Sequence, residues 1–239
     1  MSTKSFHLEI KSFDFVWPKY LIDLKFIQRV YDFDFQISNF KFPSSVRRLS
    51  IEDSTGFSYF HSTCEFPEHL ECLDIQANFF KLKLPPNLKH FGIHNFISDI
   101  NWCQNLVSIE FGDYFNASLD HIEFPKSVRI IKFGSEFDEP LRKILFPEEL
   151  RELYFGRNFC QLFPLQKLRH LQICQLHESL FCITKLEIFI DYFPGLQTLR
   201  LLKKRCFHYE SPNVKDFQKY SNMSLLNISS FNIVNVLYD

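Results

Sequence analysis

Apolar and polar positions along this chain fall into a phrase that repeats. The phrase is aromatic, Pro, two residues, aliphatic, two residues, apolar, one residue, apolar. It occurs as FPSSVRRLSI from Phe42, FPEHLECLDI from Phe66, LPPNLKHFGI from Leu84, FPKSVRIIKF from Phe124 and FPEELRELYF from Phe146. WPKYLIDLKF from Trp17 is an earlier copy, and WCQNLVSIEF from Trp102 keeps the frame without the Pro. FPLQKLRHLQI from Phe163 and FPGLQTLRL from Phe193 change the gap after the Pro by one residue. The first aliphatic positions are Leu21, Val46, Leu70, Leu88, Leu106, Val128, Leu150, Leu168 and Leu196, in steps of 25, 24, 18, 18, 22, 22, 18 and 28 residues. A weaker tenth copy is expected from Met223 through Leu226 and Ile228, and a partial one at the start through Leu8 and Ile10.

Alternation such as Leu153-x-Phe155 has a period of two, the mark of a short strand buried on one face. Pro cannot donate to a strand ladder, so it stands just outside the strand. A unit this short cannot bury its own apolar face and must stack on its neighbours. The period brackets the roughly 20–29 residues of leucine-rich repeats. The predicted fold is therefore an α/β leucine-rich-repeat-like solenoid. A curved parallel β-sheet is expected on the concave face, with mostly extended or 3-10 segments on the convex side. Gly112, Gly134 and Gly156 follow three of the strands, and a turn with positive φ is the expected reason. Phe115, Phe137 and Phe159 come three residues later and are expected to fold back beneath the strands. Leu180, Ile183, Leu186, Phe189 and Ile190 stand at helical spacing, which predicts a helix there. A second is expected around Val214 to Tyr220. The chain, 1–239, reads as one repeat domain. Its parts are an N-terminal cap over 1–16, about nine repeats over 17–202, and a last repeat with a C-terminal cap over 203–239.

Composition narrows the function. The 30 phenylalanines call for many equivalent apolar slots, which a repeat supplies. A net charge of −1 and a pI near 6.7 carry no electrostatic footprint for nucleic acid. The one basic run, Lys203-Lys204-Arg205, is short and reads as a solvated turn. Seven cysteines, an odd number without C-x-x-C spacing, argue against a disulfide framework or a zinc ribbon and for free thiols. Charges interrupt the N-terminus before a signal-peptide core forms, and no apolar run approaches the roughly 18–20 residues that span a bilayer. The sequons at Asn116, Asn222 and Asn227 then read as chance matches. A cytoplasmic monomer without cofactor or membrane contact is the expectation.

No glycine-rich phosphate loop, dinucleotide fingerprint, nucleophile elbow or paired-His zinc motif is present. The candidate surface is the outward row of the sheet. Its predicted positions are Asp23, Lys25, Arg48, Ser50, Glu52, Cys72, Asp74, Gln76, His90, His94, Ser108, Glu110, Ile130, Lys132, Glu152, Tyr154, His170, Gln172, Cys174, Thr198 and Arg200. Glu110, Lys132 and Glu152 are expected to form a cross-strand charge ladder. His90 and His94, with Glu110 beyond them, invite a metal reading, but spacing supplies no further ligands. Cys174 near His170 invites a nucleophile–base reading that lacks an orienting third group. A hydrolase using Cys174 or His90 is the catalytic alternative. The favoured site is a protein-contact face made of His90, His94, Glu110, Lys132, Glu152, Tyr154, His170, Gln172 and Arg200, since aromatics and Arg dominate binding hot spots.

The stretch from Phe111 to Phe159 resembles the FNIP repeat family. Its motif is Pro, two residues, Leu or Val, then Phe-Gly, two residues and Phe-Asn. Matching positions are Pro125, Val128, Phe133, Gly134 and Phe137, and Pro147, Leu150, Phe155, Gly156 and Phe159. Phe115-Asn116 keeps the Phe-Asn pair, while Phe137-Asp138 and Phe159-Cys160 do not keep its Asn. The likeness is strong over about residues 102–160. It implies a leucine-rich-repeat relative of amoebal or viral type and a non-catalytic scaffold binding an unnamed protein partner. Some members join the repeat to an F-box or a kinase-like domain. No pattern of either kind is present here, and the alternative this leaves is a substrate-recognition adaptor for ubiquitin ligation with an F-box or cullin partner in trans.

Overall fold

Six repeats start with a turn built by the Pro-x-x-aliphatic phrase. The aliphatic N–H donates back to the carbonyl three residues earlier, as Leu21 to Pro18 (3.2 Å), Leu70 to Pro67 (3.0 Å) and Leu150 to Pro147 (3.0 Å). Pro suits this place because its fixed φ sets the turn and its missing N–H is not needed. The next residues run straight into the sheet. The computed structural model describes residues 5–8, 17–28, 41–53, 59–60, 65–76, 78–79, 82–94, 100–120, 122–141, 143–161, 167–177, 193–204 and 230–236.

Eleven parallel strands lie side by side in sequence order. They are β1 (Ser5–Leu8), β2 (Asp23–Gln28), β3 (Arg48–Asp53), β4 (Cys72–Gln76), β5 (His90–Ile93), β6 (Ser108–Phe111), β7 (Ile130–Lys132), β8 (Glu152–Tyr154), β9 (Ile173–His177), β10 (Thr198–Lys204) and β11 (Ser230–Val236). Two short strand pairs, Tyr59–Phe60 with Asn78–Phe79 and Leu82–Lys83 with Ile100–Asn101, lie outside it. Among the described residues there is no helix, and the return segments, where described, are irregular with tight turns. The two helices expected over 180–190 and 214–220 fall outside the described residues.

The core is a set of rows running across the strands. Leu24, Leu49, Leu73, Phe91, Ile109, Ile131, Leu153, Cys174 and Leu199 are in register and buried. Phenylalanine builds the middle. Phe111, Phe133 and Phe155 stack with centroids 4.9 Å apart. Phe115, Phe137 and Phe159 form a second stack at 6.1 and 6.0 Å, lying beneath the first as the spacing anticipates. Offset stacking of this kind adds to the area that each ring buries.

A polar ladder follows the Phe stack. Asn116 Oδ1 accepts from the Asp138 N–H (3.0 Å), and Asp138 Oδ1 accepts from the Cys160 N–H (2.8 Å). Each side chain satisfies a backbone donor of the next repeat. This explains the Asn of the motif, and why Asp serves equally: both present an acceptor oxygen at the same reach.

The glycines have another cause than the one their position suggests. Gly134 and Gly156 do not lie in the left-handed region. A Cβ at Gly134 would strike the Gly112 carbonyl and the Asp113 backbone, and one at Gly156 would strike the Gly134 carbonyl. Close approach of successive repeats, not turn geometry, demands glycine here.

Three copies sit in a different register from the predicted one. In β9 the turn bond runs from the Leu171 N–H to the Leu168 carbonyl, so Leu171, not Leu168, is the first aliphatic residue. Cys174 then pairs with Leu153 and is fully buried. The steps 150 to 171 and 171 to 196 become 21 and 25 residues, and the repeat is more even than expected. In the last copy Phe231 pairs with Leu199 and Ile233 with Leu201, five residues on from the Met223 frame. At the start Phe6 pairs with Leu24 and Leu8 with Phe26, two residues before the Leu8 and Ile10 frame. A leucine every three residues, as in Leu165, Leu168 and Leu171, leaves the frame open, and only pairing with the neighbouring strand chooses it.

Candidate binding face of the sheet

Residues between the buried positions point away from the core. They form two rows, because side chains alternate along a strand. The first row runs through Asp23, Arg48, Cys72, His90, Ser108, Ile130, Glu152 and Ile173, and the second through Lys25, Ser50, Asp74, Gly92, Glu110, Lys132, Tyr154, Gln175 and Arg200. Of the predicted contact residues, His90, Glu110, Lys132, Glu152, Tyr154 and Arg200 lie in these rows, and His94 follows directly on β5.

His170 and Gln172 do not belong with them. The corrected register of β9 puts Ile173 and Gln175 in the outward rows. His170 stands in the turn before the strand, 3.5 Å from Glu149, and the exposed Gln172 stands at the strand entry, where its N–H donates to the Arg151 carbonyl. Cys174 points inward, and burial pushes its thiol far above the usual range. The Cys174–His170 pairing is therefore absent, and a buried neutral thiol is a poor nucleophile. The charge ladder is also shorter than expected. Lys132 Nζ lies 3.1 Å from Glu110, but Lys132 is in register with Tyr154, and Glu152 is in the other row. Glu152 instead accepts from the Tyr154 hydroxyl at 2.8 Å. Burial, and then that bond, push the Tyr154 hydroxyl up to about 12.

Over β3 to β6 one outward residue on each strand is short: Ser50, Cys72, Gly92 and Ser108. The taller pairs Arg48–Asp23 (2.8 Å) and Lys132–Glu110 close the two ends. The result is an open groove of about 540 Å³. Sequence reasoning had Ser50, Cys72 and Ser108 in the face but neither Gly92 nor the groove, since a groove is the difference between neighbouring side-chain heights. Among the described residues no group of three His, Cys, Asp or Glu converges as a metal-ligand set.

Gly92 arranges the middle of the groove. With no side chain there, the Asp74 carboxylate leans across to the next repeat and meets His94 Nε2 at 2.8 Å. Ser50 Oγ lies 3.4 Å from its other oxygen. The bond to Asp74 raises His94 above its ordinary value of 6.5 despite partial burial, and Glu110 and Asp113 add to the rise. Burial alone would raise Asp74, but the bonds from His94, Ser50 and Gln76 and the His94 charge outweigh it and hold Asp74 below 3.8. Linkage gives the sign. The His94 contribution is fully present below pH 6.5 and fades as pH rises through its raised value. The Asp74 contribution is present above pH 3.8 and fades as pH falls through its lowered value. Subtracting the unfolding free energies of His94→Gln from those of the parent, pH by pH, should give a difference that is largest at pH 4–6. It should decline above 6.5, with a size of about 0.2–1 kcal/mol for a pair this exposed. A flat difference from pH 5 to 9 would exclude the coupling.

The FNIP repeat family matches over residues 103–136 and again over 115–158. Among solved structures, the stack is similar to CroV588, described as a novel circular LRR protein, at a TM-score of 0.54 and 18% identity. That alignment covers 91% of this chain and 34% of the other, so the chain spans about a third of its length, and at this identity the likeness concerns the fold. No protein of curated function matches the sequence. No helix among the described residues is long and apolar enough to cross a membrane. The family match lies on the repeats that carry the Phe stacks and the Asn116–Asp138 ladder, so the chain contains FNIP repeats there, within a parallel stack whose fold is similar to that of a leucine-rich-repeat protein.

Proposed function

We propose that the chain is a non-catalytic scaffold that binds a protein partner through the outward, concave face of its sheet. The groove over β3 to β6 carries this reading. It is a preformed depression on a stack whose strands are tied by backbone bonds and whose core is packed with rings, so a partner meets a surface that needs little ordering. Solenoids use such faces for binding, and the repeat architecture fits a scaffold in general.

Affinity purification of the tagged chain from its native cell tests the face. It is run beside a variant with His90, Glu110, Lys132 and Tyr154 all changed to Ala. A partner is expected with the parent and is expected to fall at least tenfold with the variant, at an unchanged urea midpoint. Equal recovery by both would sink the assignment of this face. Ubiquitin-ligase subunits among the captured proteins would support the adaptor role that the family resemblance implies, and their absence would remove it.

A further inference from the structure

The two halves of the outward face differ in chemistry. From β2 to β6 every outward Lys or Arg among the described residues lies within 2.8 Å of a carboxylate: Lys25 of Glu52 (2.7 Å) and Arg48 of Asp23 (2.8 Å). From β7 to β10 the outward rows gain apolar members, the partly buried Ile130, Tyr154 and Ile173, among Lys132, Glu152, Gln175, Thr198 and Arg200. Lys132 is held by Glu110 from the groove side. Arg200 is the exception. Its guanidinium lies 5.7 Å from the centre of the Tyr154 ring and has no carboxylate partner among the described residues. The one described acid in these rows, Glu152, is turned to the Tyr154 hydroxyl.

This arrangement has a defined complement. A guanidinium held over a ring by a cation–π contact loses some of its freedom, and its planar N–H fork can still take a carboxylate with two parallel bonds. Ile173, on the strand between those of Tyr154 and Arg200, offers aliphatic surface for the partner chain beside those bonds. We infer that β7 to β10 form a subsite for a peptide segment of the partner that presents an Asp or Glu carboxylate next to an aliphatic residue, with Arg200 as its anchor. The inference rests on the face being a protein-binding surface, and it adds the chemistry of the partner.

Selection from a random peptide library displayed on phage, against the folded chain, tests it. Enriched peptides are expected to carry Asp or Glu next to Leu, Ile or Val. By fluorescence anisotropy, a selected peptide should lose at least tenfold in affinity with Arg200→Gln, and equally when its own acid becomes Gln. Arg200→Gln with the altered peptide should show little further loss, since both changes remove one bond. Lys143→Gln, on the return side and paired with Asp120, should change nothing. Enrichment without acids, no enrichment, or binding indifferent to Arg200→Gln overturns the inference. If selected peptides are instead lost with Ser108→Trp in the groove, the inference fails while the binding face stands. If neither variant affects them, both fail.

Discussion

Phe133→Ala is expected to destabilise the protein by about 3–5 kcal/mol. Phe133 is 4% exposed and stacks between Phe111 and Phe155, with Phe137 4.2 Å below it. Removing the ring deletes contacts to three neighbours, and the backbone bonds of β7 on both sides keep the walls from collapsing into the space. A cavity therefore remains, which is the condition for the upper part of that range. Glu110→Ala, one strand away, should fall within about 0.5 kcal/mol, because its pairing with Lys132 is half exposed. Urea unfolding of the two variants reads the contrast. Equal losses would mean that the sheet faces are exchanged, since a slip of one residue swaps them.

Gly134→Ala should lower stability by about 1–3 kcal/mol, through forced separation of packed repeats. The sign is the informative part. Where the backbone can take a side chain, replacing Gly with Ala stabilises by roughly 0.4–1 kcal/mol through the unfolded chain. Gly134 has an ordinary φ, so that gain is available in principle. The new methyl would overlap the Gly112 carbonyl, which cannot rotate aside because it is main chain. Gly92→Ala is the internal comparison. Its obstacle is the Asp74 carboxylate, the end of a side chain. It should cost less and chiefly release Asp74 from His94, moving His94 back toward 6.5 in an NMR titration. A Gly134→Ala protein as stable as the parent would show that the repeats are not in this contact.

The place of the strands was readable because Pro and the aliphatic residue set a local turn, and the turn needs only its own residues. The inward rows were readable wherever large apolar residues alternate with polar ones, as in Leu153-Tyr154-Phe155. Reading failed at Leu168 and Cys174, where leucines at spacings of three offered two frames and a small, neutral thiol took the core position. It failed differently at the glycines. Their place after the strand was visible, but the neighbour that forbids a side chain is 22 residues away in sequence.

By itself, then, the sequence determined the repeat, the parallel stack and the use of Phe as its filling, since these follow from short-range pattern and the need to bury apolar surface. Only the tertiary structure decided which residues share a row. That choice places Asp74 against His94 across Gly92, leaves Arg200 on the ring of Tyr154, and hollows the groove from four short side chains on four strands. Each of these is a relation between repeats. Their distance apart is set by a strand spacing of about 4.8 Å for each strand crossed, whereas each crossing takes some twenty residues or more along the chain.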